Sequence, residues 1–456
     1  MGCINGSSGG TQGSFITIFS IWNATMGTSL LVIPWAITQA GFLLGIVLLI
    51  VMAGLNFYTA YIMITSTGSI KCPAGEVVEY SDVCRKYLGR VGEVLAVLFS
   101  CAIMVGAVIV YWVLMSNTLY SIVQFIYSSY YDIGLLAPES NSSFNDPYLR
   151  CTDDNVFIHE PVQLWHNATT NQTVNTHADL FNKFWHLQKT VPFFLLCLLV
   201  PLINFKSPTL FTKFNAAGVI SAFYLVGFIT YKTSRWGFHM DFNRSIEQNV
   251  RTSFPALTGV CTLAFLSHCT LVAIIRQQKN PKNNVRDLCI AYICVTLTYG
   301  YVGCAFYTTW PMISKDCIDQ NFLNNLLASD PLAFVSRIFV FIQMFTAYPL
   351  ILYIMRVQLM NVLFQSVWPS WKHVSFLNLS VVATCLLFAR FMPQIATILR
   401  YTGTFCGQTY AIVLPTLTYM VSEKRKGQLT ITKAFVHVMI IVFSVANIVA
   451  QFFLKM

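Results

Sequence analysis

The chain is 456 residues long, 55% hydrophobic and only 10% charged, with a formal net charge of +10. Soluble globular chains carry about 25% charged residues, so this one has too few to cover a water-facing surface, and its mean hydropathy of +0.61 agrees. Lipid must be the solvent for much of it, and the basic balance is a topology signal rather than a nucleic-acid footprint, because Lys and Arg of membrane proteins gather on the cytosolic side.

A spanning helix needs about 20 mostly apolar residues. The runs at 15–35, 41–65, 94–127, 190–205, 214–234, 254–276, 287–309, 333–356, 374–390, 398–421 and 432–454 meet or approach that length. No turn signal divides 94–127, which reads as one long, tilted helix. The chain is therefore expected to be an all-α membrane protein with about 11 transmembrane helices. Residues 1–14 form a short cytosolic N-terminus, 15–234 a first group of five helices, 235–421 a second group of five, and 422–456 an eleventh helix with the C-terminus.

Orientation follows from the loops. With the N-terminus in the cytosol, the cytosolic connections hold Lys71, Arg85, Lys86 and Arg90, then Lys206 and Lys213, then Lys279, Lys282 and Arg286, then Lys372, then Lys424, Arg425 and Lys426. The loops 128–189, 235–253 and 310–332 are mixed or acidic, as the positive-inside rule requires. Glycosylation acceptor patterns begin at Asn141, Asn167 and Asn171 in the 128–189 loop and at Asn243 in another loop of the non-cytosolic side, while a further one at Asn5 falls in the cytosol, where it would go unused. Cys151 and Cys317 fall in loops of that same oxidising side. A disulfide between them is expected, two free thiols being the plainer alternative.

The first run reads Trp22-Asn23-Ala24-Thr25-Met26-Gly27-Thr28-Ser29. Polar groups in a span cost free energy unless they are paired, and non-helical backbone at membrane depth is tolerated only where it lines a cavity or is buried in protein. A break at Gly27 would expose N–H groups able to hold a carboxylate and carbonyls able to hold an ammonium or Na⁺. A small-residue packing seam against a neighbouring helix is the other reading.

The sixth run has a matching interruption, Leu257-Thr-Gly259 through Phe265-Leu-Ser267-His268-Cys-Thr270. An ionisable residue inside a span, here His268, usually faces a pathway; a satisfied structural histidine is the alternative. Interrupted helices in the first and sixth positions of two five-helix groups are the mark of an inverted-repeat transporter. In the eighth run Gln343 and Thr346 share a helix face, and Pro349 frees a carbonyl one turn back. Such oxygens suit Na⁺, although a kinked helix whose Thr346 bonds its own backbone would look the same. Arg337, near the end of that run, is expected to snorkel to the interface. No Walker motif, metal-ligand spacing or catalytic constellation stands out, so the chain does not read as an enzyme.

Asn23-Ala-Thr-Met-Gly-Thr-Ser29, followed by Ile33-Pro34-Trp35 and Gln39-Ala-Gly41, resembles the sodium-coupled neutral amino acid transporters of the amino acid/auxin permease group. Val110-Tyr111-Trp112-Val-Leu-Met-Ser116-Asn117, Leu202-Ile-Asn204-Phe205-Lys206-Ser207-Pro208, Asn284-Val-Arg286-Asp287 through Tyr292, and Ser314-Lys315-Asp316-Cys317 are similar to a lysosomal member of that family. The resemblance runs from about residue 14 to the end.

It implies a leucine-transporter-like fold of two inverted five-helix repeats plus an eleventh helix. It implies a lysosomal transporter that binds arginine and exports essential amino acids such as leucine, and arginine-dependent input to the growth-control complex mTORC1 through Rag GTPases and Ragulator. Asn23, Ala24, Thr25, Met26, Gly27 and Thr28 carry over as substrate-binding residues; Ser29 beside them, and Ser267 and His268 at the interruption of the sixth run, complete the expected site. Asn23 and Thr346 carry over as sodium ligands, with Na⁺ the sole implied cofactor. The relative's docking segment is a long N-terminal tail, whereas about thirteen residues precede the first run here. The resemblance thus implies transport more directly than signalling. An arginine sensor with a transporter fold and little flux is the competing function.

Overall fold

The computed structural model describes residues 12–68, 79–131, 149, 180–181, 183–204, 217–240, 249–311, 315–366 and 368–454. Asn141, Asn167, Asn171, Asn243 and Cys151 lie outside the described residues. Cys317 is disulfide-bonded.

Every longer element among the described residues is helical, with only isolated bridges such as Gln12–Gln278 besides. A backbone in lipid must satisfy its own polar groups, and a helix does so within one segment. In chain order the helices are α1 (Ser14–Met26), α2 (Ile33–Ala40), α3 (Phe42–Gly68), α4 (Tyr80–Tyr131), α5 (Val191–Ile203), α6 (Ala217–Trp236), α7 (Pro255–Ala264), α8 (His268–Arg276), α9 (Asn284–Thr309), α10 (Pro331–Phe364), α11 (Trp371–Phe391), α12 (Ile395–Tyr401), α13 (Leu414–Arg425) and α14 (Ile431–Ala450). Each apolar run of the sequence overlaps one helix or one interrupted pair. Among the described residues, seven stretches are long and apolar enough to cross a membrane: Phe42–Gly68, Tyr80–Tyr131, Pro255–Arg276, Pro281–Thr309, Pro331–Phe364, Trp371–Phe391 and Ile431–Phe453. The chain is a multi-pass membrane protein.

Two compact units divide the chain. The first comprises Met1–Gly106, Ser245–Tyr301 and Thr397–Met456, the second Ala107–Arg244 and Val302–Ala396.

In the first unit, α4 begins well before the apolar run at 94. Tyr80, Val83, Cys84 and Tyr87 are buried, at the spacing of one helix face. They pack with Met63, Tyr410 and Leu414. The charged residues between them, such as Asp82, Arg85 and Lys86, had placed this stretch in a loop. Gly89, with φ 76° and ψ −166°, separates this amphipathic turn from the apolar helix. Between α12 and α13 the chain takes π-helical turns over Thr402–Gly407 and Thr409–Val413. There the backbones of two helices touch: a Cβ at Gly403 would collide with the carbonyl oxygen of Gly259 in α7.

In the second unit, Asp330 caps α10. Its Oδ1 accepts from the N–H groups of Leu332 (2.9 Å) and Ala333 (3.2 Å). Its Oδ2 lies 2.6 Å from Lys232 Nζ of α6, both side chains buried. Arg337 corrects the snorkelling expectation: it is 4% exposed. Its guanidinium donates to the carbonyls of Leu323 (2.9 Å), Leu326 (2.8 Å) and Leu327 (3.4 Å). The folded segment before α10 supplies acceptors close at hand, so the side chain has no need to reach outward.

Candidate substrate site at two broken helices

The first apolar run breaks where its glycine stands. α1 ends at Met26, and Gly27 takes φ 39° and ψ −150°, a region that penalises a Cβ. Thr28 follows, a short helical turn covers Ser29–Leu31, and α2 starts at Ile33 with Pro34 in its first turn. The sixth run breaks too: α7 ends at Ala264 and α8 begins at His268. The chain between them is Phe265-Leu266-Ser267.

The two interrupted helices run antiparallel. At one end Gln12 bonds Gln277 and Lys279 through its backbone, and Arg286 Nη2 donates to Ser14 Oγ at 3.0 Å. At the other, Arg251 N–H donates to Ala40 O at 2.9 Å and Ser253 Oγ to Gln39 O at 2.6 Å. The start of α1 thus lies by the end of α8, and the end of α2 by the start of α7, so both breaks fall at mid-length.

A helix end leaves carbonyls without intrahelical donors. Here α9 supplies the donors. The Tyr299 hydroxyl lies 3.0 Å from Thr25 O, 2.9 Å from Met26 O and 3.1 Å from Ala264 O, touching both breaks at once. Two turns away on the same face of α9, Tyr292 donates to Phe265 O at 3.0 Å and lies 2.9 Å from Ser267 Oγ. One phenolic proton cannot serve three carbonyls fully. The remainder is a focus of negative potential between two broken helices, suited to an ammonium or a small cation. The first-turn N–H groups beyond each break offer the opposite polarity. Such a place can hold a zwitterion.

The residues singled out from sequence are distributed around this centre. Thr25, Met26, Thr28 and Ser29 are buried, Asn23 and Gly27 half-buried, and Ala24 exposed. Thr25 Oγ1 donates to Ile21 O at 2.7 Å within α1. Ser267 and His268 are buried at the second break, His268 Nε2 lying 3.1 Å from Thr59 Oγ1 of α3. Beside them, Asn56 Oδ1 and His268 Nδ1 have no partner among the described residues. Thr346 belongs to the second unit, where its hydroxyl donates to its own helix at Ile342 O and Gln343 O, both at 3.0 Å.

The family of transmembrane amino acid transporter proteins matches residues 10–144 and 162–454. The chain belongs to that family. Neutral amino acid transporter 9 of Xenopus tropicalis is 42% identical to this transporter over 99% of this chain and 82% of its own. Its namesake from Rattus norvegicus is 41% identical over 97% and 79%. The sodium-coupled neutral amino acid transporter 9 homolog of Caenorhabditis elegans is 42% identical over 97% and 74%.

Tyr292, Tyr299, Asn56 and Thr59 escaped the sequence reading of this transporter. The only available signal was a pair of tyrosines seven residues apart in the seventh run, which as readily marks a core stripe. His437 also lies inside an apolar run. It is buried on α14, with Nε2 2.8 Å from Tyr58 Oη and Nδ1 2.6 Å from Lys433 O.

Proposed function

We propose that this chain is a secondary transporter of the lysosomal membrane, N-terminus in the cytosol, which binds arginine and exports essential amino acids such as leucine. The paired breaks bridged by Tyr299 carry the proposal, since they put carbonyls and helix N-termini where an amino acid needs opposite partners. Asn23, Ala24, Thr25, Met26, Gly27, Thr28, Ser29, Ser267 and His268 form the substrate-binding set. In alternating access the site opens to one side of the membrane at a time. Sodium coupling draws on the name of the nematode relative and on the family resemblance, with Asn23 and Thr346 as the ligands carried over. The Thr346 hydroxyl, having donated its proton, retains lone pairs for a cation. Lysosomal location and an arginine signal to mTORC1 through Rag GTPases and Ragulator rest on resemblance to a lysosomal member. Asn141, Asn167, Asn171 and Asn243 are the proposed glycan sites, and Cys151 the proposed partner of Cys317.

Arginine and leucine flux in proteoliposomes, with Na⁺ and pH varied separately, tests the proposal. Saturable flux of either amino acid supports it; arginine binding without flux would replace transport by sensing. The disulfide has its own check: Cys151→Ser and Cys317→Ser should give one and the same mobility change on a non-reducing gel, and unlike shifts would separate the two cysteines.

A further inference from the structure

Among the described residues at one end of the second unit, the cations Lys232 and Arg337 are buried beside a single buried carboxylate, Asp330. Asp330 is already committed to Lys232 at 2.6 Å and to the first turn of α10. Arg337, one helical face further on, has only carbonyl partners among the described residues. A guanidinium has five N–H donors and does not deprotonate in proteins, so three carbonyl bonds leave donors to spare, and the one carboxylate that acts on its charge, Asp330, is shared with Lys232. Two buried cations that share one carboxylate are costly, and an anion beside Arg337 relieves that cost.

A cavity of about 70 Å³ opens at this place. Asn117, Ser121 and Gln124 of α4 line it, at the spacing of one helix face, together with Asn324 and Arg337. The volume holds several waters. Amide N–H groups of Asn117, Gln124 and Asn324 can complete the shell of an ion whose charge Arg337 balances; the Ser121 hydroxyl donates to Asn117 O at 3.1 Å within α4, and Asn324 Nδ2 donates to Asp319 Oδ1 at 3.1 Å, with a second N–H left. By the positive-inside orientation this end of the unit is non-cytosolic. The α1–α2 and α7–α8 breaks belong to the first unit.

We propose that this cavity binds a small monovalent anion, either a carboxylate or a halide, with Arg337 as the charge partner and the amides of Asn117, Gln124 and Asn324 as neutral donors. Purified full-length protein is unfolded thermally while sodium chloride or sodium acetate replaces sodium gluconate at constant ionic strength, gluconate being too long for the cavity. The unfolding temperature should rise saturably with chloride or acetate. A rise with chloride alone assigns a halide site, and a rise with acetate a carboxylate site.

Ser121→Phe fills the cavity without touching the carbonyl bonds of Arg337 and should abolish the rise. Arg337→Lys keeps the charge but loses the fork, and should weaken the apparent affinity about tenfold or more. Should Arg337→Lys fail to fold, Ser121→Phe decides the matter. No rise in the wild-type protein, or the same rise in Ser121→Phe, overturns the proposal.

Discussion

The α1–α2 and α7–α8 pairs of the first unit and the single helix α10 of the second solve one problem in opposite ways. All three carry helix-weakening residues in mid-run. Proline is the stronger breaker on intrinsic grounds, yet α10 carries Pro349 through its length, while the runs holding Gly27 and Ser267 come apart. The difference lies in where donors come from. In α10 Pro349 withholds a single N–H, the one Phe345 O would accept, and the Thr346 hydroxyl stays on its own helix at Ile342 O and Gln343 O. At the breaks, the carbonyls of Thr25, Met26, Ala264 and Phe265 are met by tyrosines of another helix. A span opens where a neighbour stands ready to pair the freed backbone.

If the opening in α1 is the place of transport, bulk there is fatal. Thr28→Trp is expected to reduce amino-acid flux in proteoliposomes to the background of empty vesicles, in protein that still elutes as one species. Near-normal flux would mean that the α1 break is packing and not a site. The second unit should behave differently, losing stability rather than chemistry. Lys232→Met leaves a buried carboxylate unpaired, which costs about 3–5 kcal/mol and should appear as a large fall in unfolding temperature. Lys232→Met with Asp330→Asn should recover most of it, because Asn still caps α10. If the double variant is no more stable than the single one, the ion pair is not what holds that end together.

How much of this was legible beforehand depends on whether the cause is local. The apolar runs and the break at Gly27 were, because length, hydropathy and a glycine among hydroxyls are properties of one segment. The start of α4 was hidden by Asp82, Arg85 and Lys86, which make an amphipathic turn resemble a loop. Arg337 was misjudged because its acceptors, the carbonyls of Leu323, Leu326 and Leu327, exist only once the preceding segment has folded. The π-helical turns left a faint trace in Gly403 and Gly407, four residues apart, but the backbone that Gly403 meets, at Gly259, is on another helix. Tyr299 was beyond reach for the same reason. Its partners at Thr25 and Met26 lie more than 270 residues away in sequence.

That separation makes Tyr299 the sharpest test of the contrast with α10. Tyr299→Phe removes one hydroxyl and keeps the ring, stranding carbonyls of both breaks. A buried acceptor left without its donor costs about 1–3 kcal/mol. The variant should lose about that much stability together with most of its flux. Tyr292→Phe should lose less, since Ser267 Oγ stands beside the same hydroxyl and can turn to Phe265 O. Equal effects from the two would mean that the hydroxyl shared by both breaks is no more than an ordinary side-chain bond.

The smallest effect concerns Lys315, in the segment between α9 and α10. Its ammonium donates to the carbonyls of His239 (3.1 Å), Tyr307 (2.9 Å) and Trp310 (2.8 Å). Burial pushes its pKa down from 10.5 to about 8. Below pH 8 the folded and unfolded chains both hold the proton, so stability does not vary with this group. Between about 8 and 10.5 the unfolded chain holds a proton that the folded one has shed, and stability rises with pH. The rise is shallow, because the amine is partly exposed and solvent screens it. Hydrogen exchange over residues 315–330 should therefore show protection increasing modestly through that window, beyond the intrinsic acceleration by base, and Lys315→Met should remove the increase. Protection that falls instead would give the opposite ranking: three carbonyls holding a charged ammonium would outweigh the cost of burying it, and Lys315 would anchor the segment as a cation.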